Sequence, residues 1–324
     1  MISQEALLAL LPKAFSGSHL PLASRTAGKV RDGYPLSDRK RLLVTTDRLS
    51  AFDQVLACVP YKGQVLNQLS GWWFGKTKDI IANHLLELPD PNASLVTEAK
   101  PLKVEVVVRG YISGVTSTAL WYRYSLGERD IYGYRFPEGL RKNQALLEAI
   151  ITPTTKGGEG SHDERLTCAE VVSRGILTAD LWDRVQVAAI SLFKRGQELA
   201  MKAGLLLVDT KYEFGLDYEG HLLLIDEVHT PDSSRFWKAD SYAGLFEKGD
   251  EPENFDKEFV RLAYAEKGYR GDGQVPVMPD TLWTAASQRY IGIQEMLTGQ
   301  AFAAGPYPVE ERLIKNLRNA GIIG

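Results

Sequence analysis

Residues 205–237, LLLVDTKYEFGLDYEGHLLLIDEVHTPDSSRFW, read as a β-hairpin with its chemistry gathered on one face. Along the first arm Asp209, Lys211 and Glu213 alternate onto one side, and Thr210, Tyr212 and Phe214 onto the other. Gly215, Asp217 and Gly220 supply turn chemistry. Pairing Gly215 with Gly220 sets Glu213 opposite Leu222, Lys211 opposite Leu224 and Asp209 opposite Asp226. Three carboxylates and a lysine then share one patch, and a one-residue slip would present Glu227 in place of Asp226. Like charges facing each other across strands destabilise a sheet, so the pattern calls for a cation that the chain itself does not supply. Magnesium-bound phosphate is the natural candidate, because Mg²⁺ takes one or two carboxylates and completes its shell with phosphate oxygens and water. The plain alternative is the solvated outer face of a hairpin.

The surrounding chain has 324 residues, 44% hydrophobic and 24% charged, the balance of a soluble globular protein. That length allows one large domain or two lobes with a sizeable core. A net charge of −3 argues against bulk attraction to nucleic acid or anionic membrane, so basic clusters are read as local sites. The first fifteen residues carry Glu5 and lack the basic start and apolar core of a secretory signal. No apolar run approaches a membrane span. Cys58 and Cys168 stand in no metal or redox spacing, and the expectation is a cytoplasmic protein in a reducing compartment. Nothing in the pattern distinguishes a monomer from a homo-oligomer.

Residues 1–20 read as a short amphipathic helix and a loop, and residues 27–58 as strands. A turn at 60–63 precedes a helix carrying Val65, Leu66, Leu69, Trp72 and Trp73. The run KVEVVVR (103–109) is a β-branched strand, followed by a loop at 110–114. Residues 119–150 are rich in aromatics and turn signals, and 152–163 form a polar, glycine-rich loop. Helices are expected at 167–175, 179–203, 281–297 and 309–320, with acidic, polar chain between 238 and 280. This order predicts an α+β protein of two lobes, a β-rich first lobe over 1–105 and a larger α+β lobe over 106–324. From about 238 the second lobe carries a helical C-terminal extension.

Four further segments carry possible chemistry. GKVRDGY (28–34) places glycines on both sides of Lys29 and Arg31, so its backbone N–H groups and cations suit a polyphosphate, as an ordinary turn also would. TTDRLSAFD (45–53) puts Asp47, Arg48 and Ser50 directly after a strand, where loops often bear function. Arg109 ends a strand and Arg235 closely follows the hairpin, and either guanidinium can grip phosphate or carboxylate with two hydrogen bonds. Lys156, His162 and Asp163 lie in the glycine-rich loop. GWWFGKT (71–77) only imitates a P-loop, with three residues between glycines where four are needed. Gly271 and Gly273 lack the third glycine of a dinucleotide fingerprint. The five histidines show no zinc spacing, and no nucleophile motif is present. Residue chemistry alone leads to an ATP–magnesium enzyme acting on a second anionic substrate.

At these residues the chain resembles the SAICAR synthetase family. The similarity runs in order through GKVRDGY (28–34), TTDRLSAFD (45–53), KGQVLNQLSGWWF (62–74), VEVVVRGYISG (104–114), TPTTKGG (152–158) with SHDE (161–164), LVDTKYEFG (207–215) and IDEVHTPDSSRFW (225–237). The resemblance implies a two-lobed α+β fold, the first lobe like that of kinases and ATP-grasp enzymes. It implies an ATP-dependent ligase that joins carboxyaminoimidazole ribotide (CAIR) to L-aspartate, with Mg²⁺ and ATP as cofactors and these small molecules as partners. Carried onto this sequence, Gly28, Lys29, Val30 and Arg31 cover the ATP phosphates, and Lys211 contacts nucleotide. Glu213 and Asp226 ligate Mg²⁺, and Lys156, Lys211 and Asp226 act at the reacting phosphoryl group. Arg109 and Arg235 clamp the ribotide phosphate, and Asp47, Arg48, Ser50, His162 and Asp163 line the substrate side. A serine after the RGY loop also contacts that phosphate in the family; Ser117 is taken here, with Ser113 and Thr116 as alternatives. A phosphotransferase with a hydroxyl acceptor and a silent nucleotide binder are the competing readings.

Overall fold

The computed structural model describes residues 2–52, 54–156, 164–271 and 273–324. Helix α1 (Gln4–Leu10), capped by the Ser3 hydroxyl, opens the chain. Strands β1 (Thr26–Ala27), β2 (Arg31–Pro35) and β3 (Lys40–Thr45) follow, and β4 (Arg48–Ala51) pairs with β5 (Gln54–Cys58) as a separate ribbon. Helix α2 (Lys62–Thr77) leads to β6 (Leu85–Asp90) and β7 (Ala93–Thr97). The first sheet is antiparallel with the order β1-β2-β3-β7-β6.

The second sheet begins with β8 (Lys100–Pro101) and β9 (Val104–Ile112). Helix α3 (Leu120–Ser125) and the small hairpin β10 (Asp130–Ile131) and β11 (Tyr134–Arg135) stand between β9 and β12 (Gln144–Thr155). Helices α4 (Cys168–Ser173) and α5 (Ala179–Lys202) follow, the first held by a reciprocal Thr167–Glu170 capping box. Then come β13 (Leu205–Leu216), β14 (Leu222–Ile225) and β15 (Ser234–Lys238). The chain closes with α6 (Ala239–Lys248), α7 (Glu258–Glu266), α8 (Asp280–Thr298) and α9 (Val309–Asn319). Strand β13 is the spine of this sheet, pairing with β8, β9, β14 and β15 along its length.

The main core lies between this sheet and α5. Val104, Val106 and Val108 alternate inward on β9 and meet Val185, Ala189, Leu192 and Phe193. A second core joins the first sheet to the far end of the chain, where Val309, Leu313 and Leu317 of α9 pack on Phe15, Leu42 and Val44. Helix α8 packs on α1 and α2, with Tyr290 and Ile291 against Leu7, Val65 and Leu66. Two of the C-terminal helices thus complete the apolar surface of the first lobe. Arg312 fixes α9 there, its Nε and Nη2 donating to the two oxygens of buried Asp90 at 3.0 and 3.1 Å.

Several expectations need correction. The hairpin register is three residues away from the Gly215–Gly220 pairing, with Glu213 opposite Ile225 and Leu216 opposite Leu222. Gly215 is no turn residue. It lies within β13, where a Cβ would sit 3.0 Å from the Lys100 carbonyl oxygen on β8, so it serves close strand approach. The turn is made by Asp217, whose Oδ1 accepts from the amides of Glu219 and His221. The expected loop at 110–114 begins as strand, because Tyr111 and Ile112 extend β9 against Ala145 and Gln144 of β12. Likewise Thr152–Thr155 belong to β12 rather than to a loop. The polar stretch after 238 contains α6 and α7. Among the described residues no helix is long and apolar enough to cross a membrane, and both cysteines are free thiols.

Replacing Arg312 by alanine strips the buried Asp90 carboxylate of its cation. A loss of about 3–5 kcal/mol is expected from such a change, read as a lower urea midpoint, and an unchanged midpoint would remove α9 from the core of the first lobe.

Candidate active site

Strand β13 carries Lys211 and Glu213 outward on the face opposite Tyr212 and Phe214, which are buried. The Lys211 Nζ lies 2.8 Å from Oε1 of Glu213 and 2.8 Å from Oε1 of Glu105 on β9. Lys156, just past the end of β12, donates to the other oxygen of Glu213. Burial would raise the Glu213 carboxyl, but Lys211 and Lys156 overrule it and hold it at about 2. Burial would likewise lower the Lys211 ammonium, yet Glu213 and Glu105 keep it above the usual lysine range.

Asp226 reaches this patch by a route that alternation does not describe. It ends β14 in a left-handed conformation, φ 66°, which turns the chain away from the ladder. Burial pushes its carboxyl up to about 6; Arg31 opposes this, while Glu213 and Glu227 add to it. Arg31 donates to Asp226 Oδ1 at 2.6 Å through Nη1 and to Glu227 through Nη2. It thereby joins the first sheet to the hairpin, beside a small cavity lined by Asn67, Ser70, His84 and Asp226.

The turn ahead of β2 is fixed from behind. Gly28 N–H donates to the Arg31 carbonyl at 2.8 Å, and the Thr46 hydroxyl donates to the Val30 carbonyl at 2.6 Å. Arg48 donates to the Gly28 carbonyl at 2.8 Å, to the Lys29 carbonyl at 3.3 Å and to buried Asp32 at 2.9 Å. Arg48 therefore holds the turn with its donors already engaged. Asp47 is fully buried and caps the start of α2, accepting from the amides of Phe15 and Gly63 and from the Tyr307 hydroxyl. Burial raises its carboxyl, against these donors. Ser50 is buried, and its carbonyl accepts from Lys257.

A second cationic group surrounds Asp209, which β-pairing sets opposite both Arg109 and Arg235. Asp209 Oδ2 lies 3.1 Å from Nη1 of Arg235 and 3.5 Å from Nη1 of Arg109. Arg109 also donates to the Thr152 hydroxyl at 2.8 Å, and Arg235 to the Ser113 hydroxyl at 2.6 Å. Glu258 stands 3.7 Å from Arg235 Nη2, so two guanidiniums, two carboxylates and two hydroxyls meet here, and guanidiniums of this kind can grip an anion with paired hydrogen bonds. Ser113 is the serine that meets Arg235, whereas Ser117 lies on an exposed turn with its carbonyl on Arg123. His162 and Asp163 lie outside the described residues.

Beside these groups lies a buried triad, Lys62, Asp232 and Tyr290, with Lys257 at its edge, which no sequence pattern singles out. Lys62, at the start of α2 with a wholly buried side chain, donates to Asp232 Oδ2 at 2.8 Å. Tyr290 of α8 donates to Asp232 Oδ1 at 2.5 Å, and Lys257 stands 3.4 Å away. Burial would raise Asp232, but Lys257 and Lys62 hold it below the usual carboxylate range. Asp232, Lys62 and Glu105 stand within three of the quoted motifs, whereas Lys257 carries no signal of its own.

A depressed carboxyl contributes stability above its unfolded value near 3.9 and loses it as pH falls toward the folded value. Urea midpoints of the wild type and Asp232→Asn should therefore differ at pH 7 and converge below about pH 4. Equal midpoints at pH 7 would show that the triad holds nothing in place.

The SAICAR synthetase family profile matches residues 24–276. The phosphoribosylaminoimidazole-succinocarboxamide synthase of Legionella pneumophila (strain Lens) is 48% identical over 313 residues, covering 95% of this chain and 99% of its own. The chloroplastic enzyme of that name from Arabidopsis thaliana is 45% identical over 322 residues, covering 98% of this chain and 76% of its own. Among solved structures, the SAICAR-synthase of Saccharomyces cerevisiae complexed with SAICAR is similar at a TM-score of 0.76. It is 32% identical and matched over 90% of this chain and 100% of its own.

Proposed function

Since the chain belongs to the SAICAR synthetase family and condenses CAIR with L-aspartate in ATP-dependent purine biosynthesis, we propose how its residues divide that work. The observation that carries the assignment is the convergence of Lys156, Lys211 and Arg31 on two partly buried carboxylates, Glu213 and Asp226. Such a patch suits a metal–polyphosphate group, because cations already balance the ligands before it arrives.

Glu213 and Asp226 fit Mg²⁺. Both are hard oxygen donors, and among the described residues no group of three or more acidic, histidine or cysteine side chains forms a complete metal cage. That composition suits an ion that keeps water and brings phosphate oxygens as its remaining ligands. When bound, Mg²⁺ neutralises charge on the β- and γ-phosphates. The turn containing Gly28, Lys29, Val30 and Arg31 covers the phosphates with backbone N–H groups and side-chain cations. Lys211 and Lys156, already aimed at Glu213, turn toward the γ-phosphoryl oxygens and stabilise charge developing there.

The chemistry then follows from leaving-group ability. A CAIR carboxylate oxygen attacks the γ-phosphorus, the bond to the ADP oxygen breaks, and an acyl phosphate forms. The aspartate amine attacks the acyl carbon, loses one proton, and inorganic phosphate departs as the amide forms. No protein nucleophile is needed, in keeping with a sequence that offers no nucleophile motif. Arg109 and Arg235, supported by Asp209 and Ser113, grip the ribotide phosphate and hold the carboxylate in line. Asp47 and Arg48 act on the site from behind, through α2 and the phosphate-covering turn. We assign the enzyme to the cytosol; co-sedimentation with membranes in a cell fractionation would oppose this.

The defining assay measures ADP with MgATP, CAIR and aspartate, each omitted in turn. ADP formation is expected only with all three, and release without aspartate would instead favour transfer to a hydroxyl. Asp226→Asn is expected to fold yet lose about 10³-fold in kcat, several kcal/mol of transition-state stabilisation. Near-normal turnover at saturating Mg²⁺ would sink the metal assignment. Arg235→Ala should raise the CAIR KM about 10- to 100-fold, the loss of a charged hydrogen-bond partner; an unchanged KM would take Arg235 out of the clamp.

A further inference from the structure

Glu213 and Asp226 belong to different segments, one within β13 and one where the chain leaves β14. The β13–β14 ladder ends at the Glu213–Ile225 pair, and just beyond it, on the core side, a buried side-chain hydrogen bond ties β13 to the chain that follows Asp226. Tyr212, the neighbour of Lys211 and Glu213, meets His229, three residues after Asp226, with 2.5 Å between the hydroxyl oxygen and Nε2. Both side chains have 0% exposure.

The surroundings are built around this imidazole. Trp73 of α2 stands edge-on to it, with centroids 4.5 Å apart at 88°. Gly196 of α5 leaves room for it, since a Cβ there would lie 2.4 Å from His229 Cε1. The backbone of His229 is left-handed, φ 46°, an unusual conformation for a residue with a side chain. The remaining ring nitrogen, Nδ1, has no hydrogen-bond partner among the described residues.

On packing grounds this is a poor choice. A leucine or phenylalanine pair would fill the same core without an orphaned nitrogen, and a buried polar group with an unmet partner destabilises the fold. A link of fixed length and direction is what the polar pair supplies in return. Past the last ladder pair, Glu213–Ile225, it holds the 226–229 segment against β13, where the left-handed Asp226 has already left the ladder.

We infer that Tyr212 and His229 are positioning residues that hold the two carboxylates of the nucleotide–metal site at the spacing a divalent cation requires. The inference rests on the reading of Glu213 and Asp226 as metal ligands. Neither residue touches substrate; both act through the segments that bear those carboxylates. Altering groups that orient metal ligands typically weakens metal binding about 10- to 100-fold.

The test is calorimetric binding of ADP, with Mg²⁺ and with EDTA, to wild type, Tyr212→Phe, His229→Asn and Asp226→Asn, with thermal unfolding of each. His229→Asn keeps a side chain that tolerates left-handed backbone and provides an independent reading should Tyr212→Phe fail to fold. We expect Tyr212→Phe and His229→Asn to bind ADP normally in EDTA. The tightening produced by Mg²⁺ should shrink about 10- to 100-fold, as for a disturbed metal-ligand shell. A wild-type Mg²⁺ effect in both variants, with that effect lost in Asp226→Asn, overturns the inference alone. Equal weakening with and without Mg²⁺ also overturns it, since that is the mark of general structural damage. A wild-type Mg²⁺ effect in Asp226→Asn overturns the ligand reading, and the inference with it.

Discussion

Ion pairing between Lys211 and the two glutamates beside it, Glu105 and Glu213, is the interaction on which the site depends. A carboxylate removed from water demands a cation, and the demand grows with burial. Three carboxylates on or beside β13 are met in this way: Glu213 by two lysines, Asp226 by Arg31, and Asp209 by two arginines. Each of those cations comes from a different strand or strand end. Charge balance on one strand thus obliges β9, β12, β15 and the start of β2 to converge.

The same principle joins the lobes. Arg31 crosses from the first sheet to Asp226 and Glu227, and Lys62 crosses from α2 to Asp232. Tyr290 adds a third element, helix α8, to the Asp232 contact. Helices α8 and α9 stand far from the hairpin in sequence, yet both cover the first lobe, and α8 braces the loop before β15 through Tyr290 and Asp232. Asp226 and Arg235 therefore share one support, the 226–235 segment.

Much of this was legible beforehand, for identifiable reasons. Alternation on β13 put Lys211 and Glu213 on one face because strand side chains repeat every two residues whatever the partner. The Arg109–Arg235 grouping could be suspected from the motifs, but its centre, Asp209, was assigned to face Asp226, which the true register forbids. That error came from treating Gly215 as a turn glycine, when its missing side chain serves the approach of β8. Asp47 and Arg48 are expected on the substrate side because polar residues after a strand often bear function. Their carboxylate and guanidinium instead satisfy backbone groups of α2 and the 28–31 turn. Helices α6 and α7 were hidden by acidic composition, which masks an amphipathic period.

By itself the sequence determined what depends on neighbours along the chain. The alternating faces of β9 and β13, the extents of α5, α8 and α9, and the capping at Thr167 and Thr178 are local matters of periodicity and hydrogen bonding. Only the tertiary structure decided the hairpin register, the left-handed exit at Asp226, the Tyr212–His229 link and the contact of Lys62 with Asp232, 170 residues away. Those features arise from close packing and from the need of buried charges for partners. Neither is written in any one segment, because each exists only once distant segments meet.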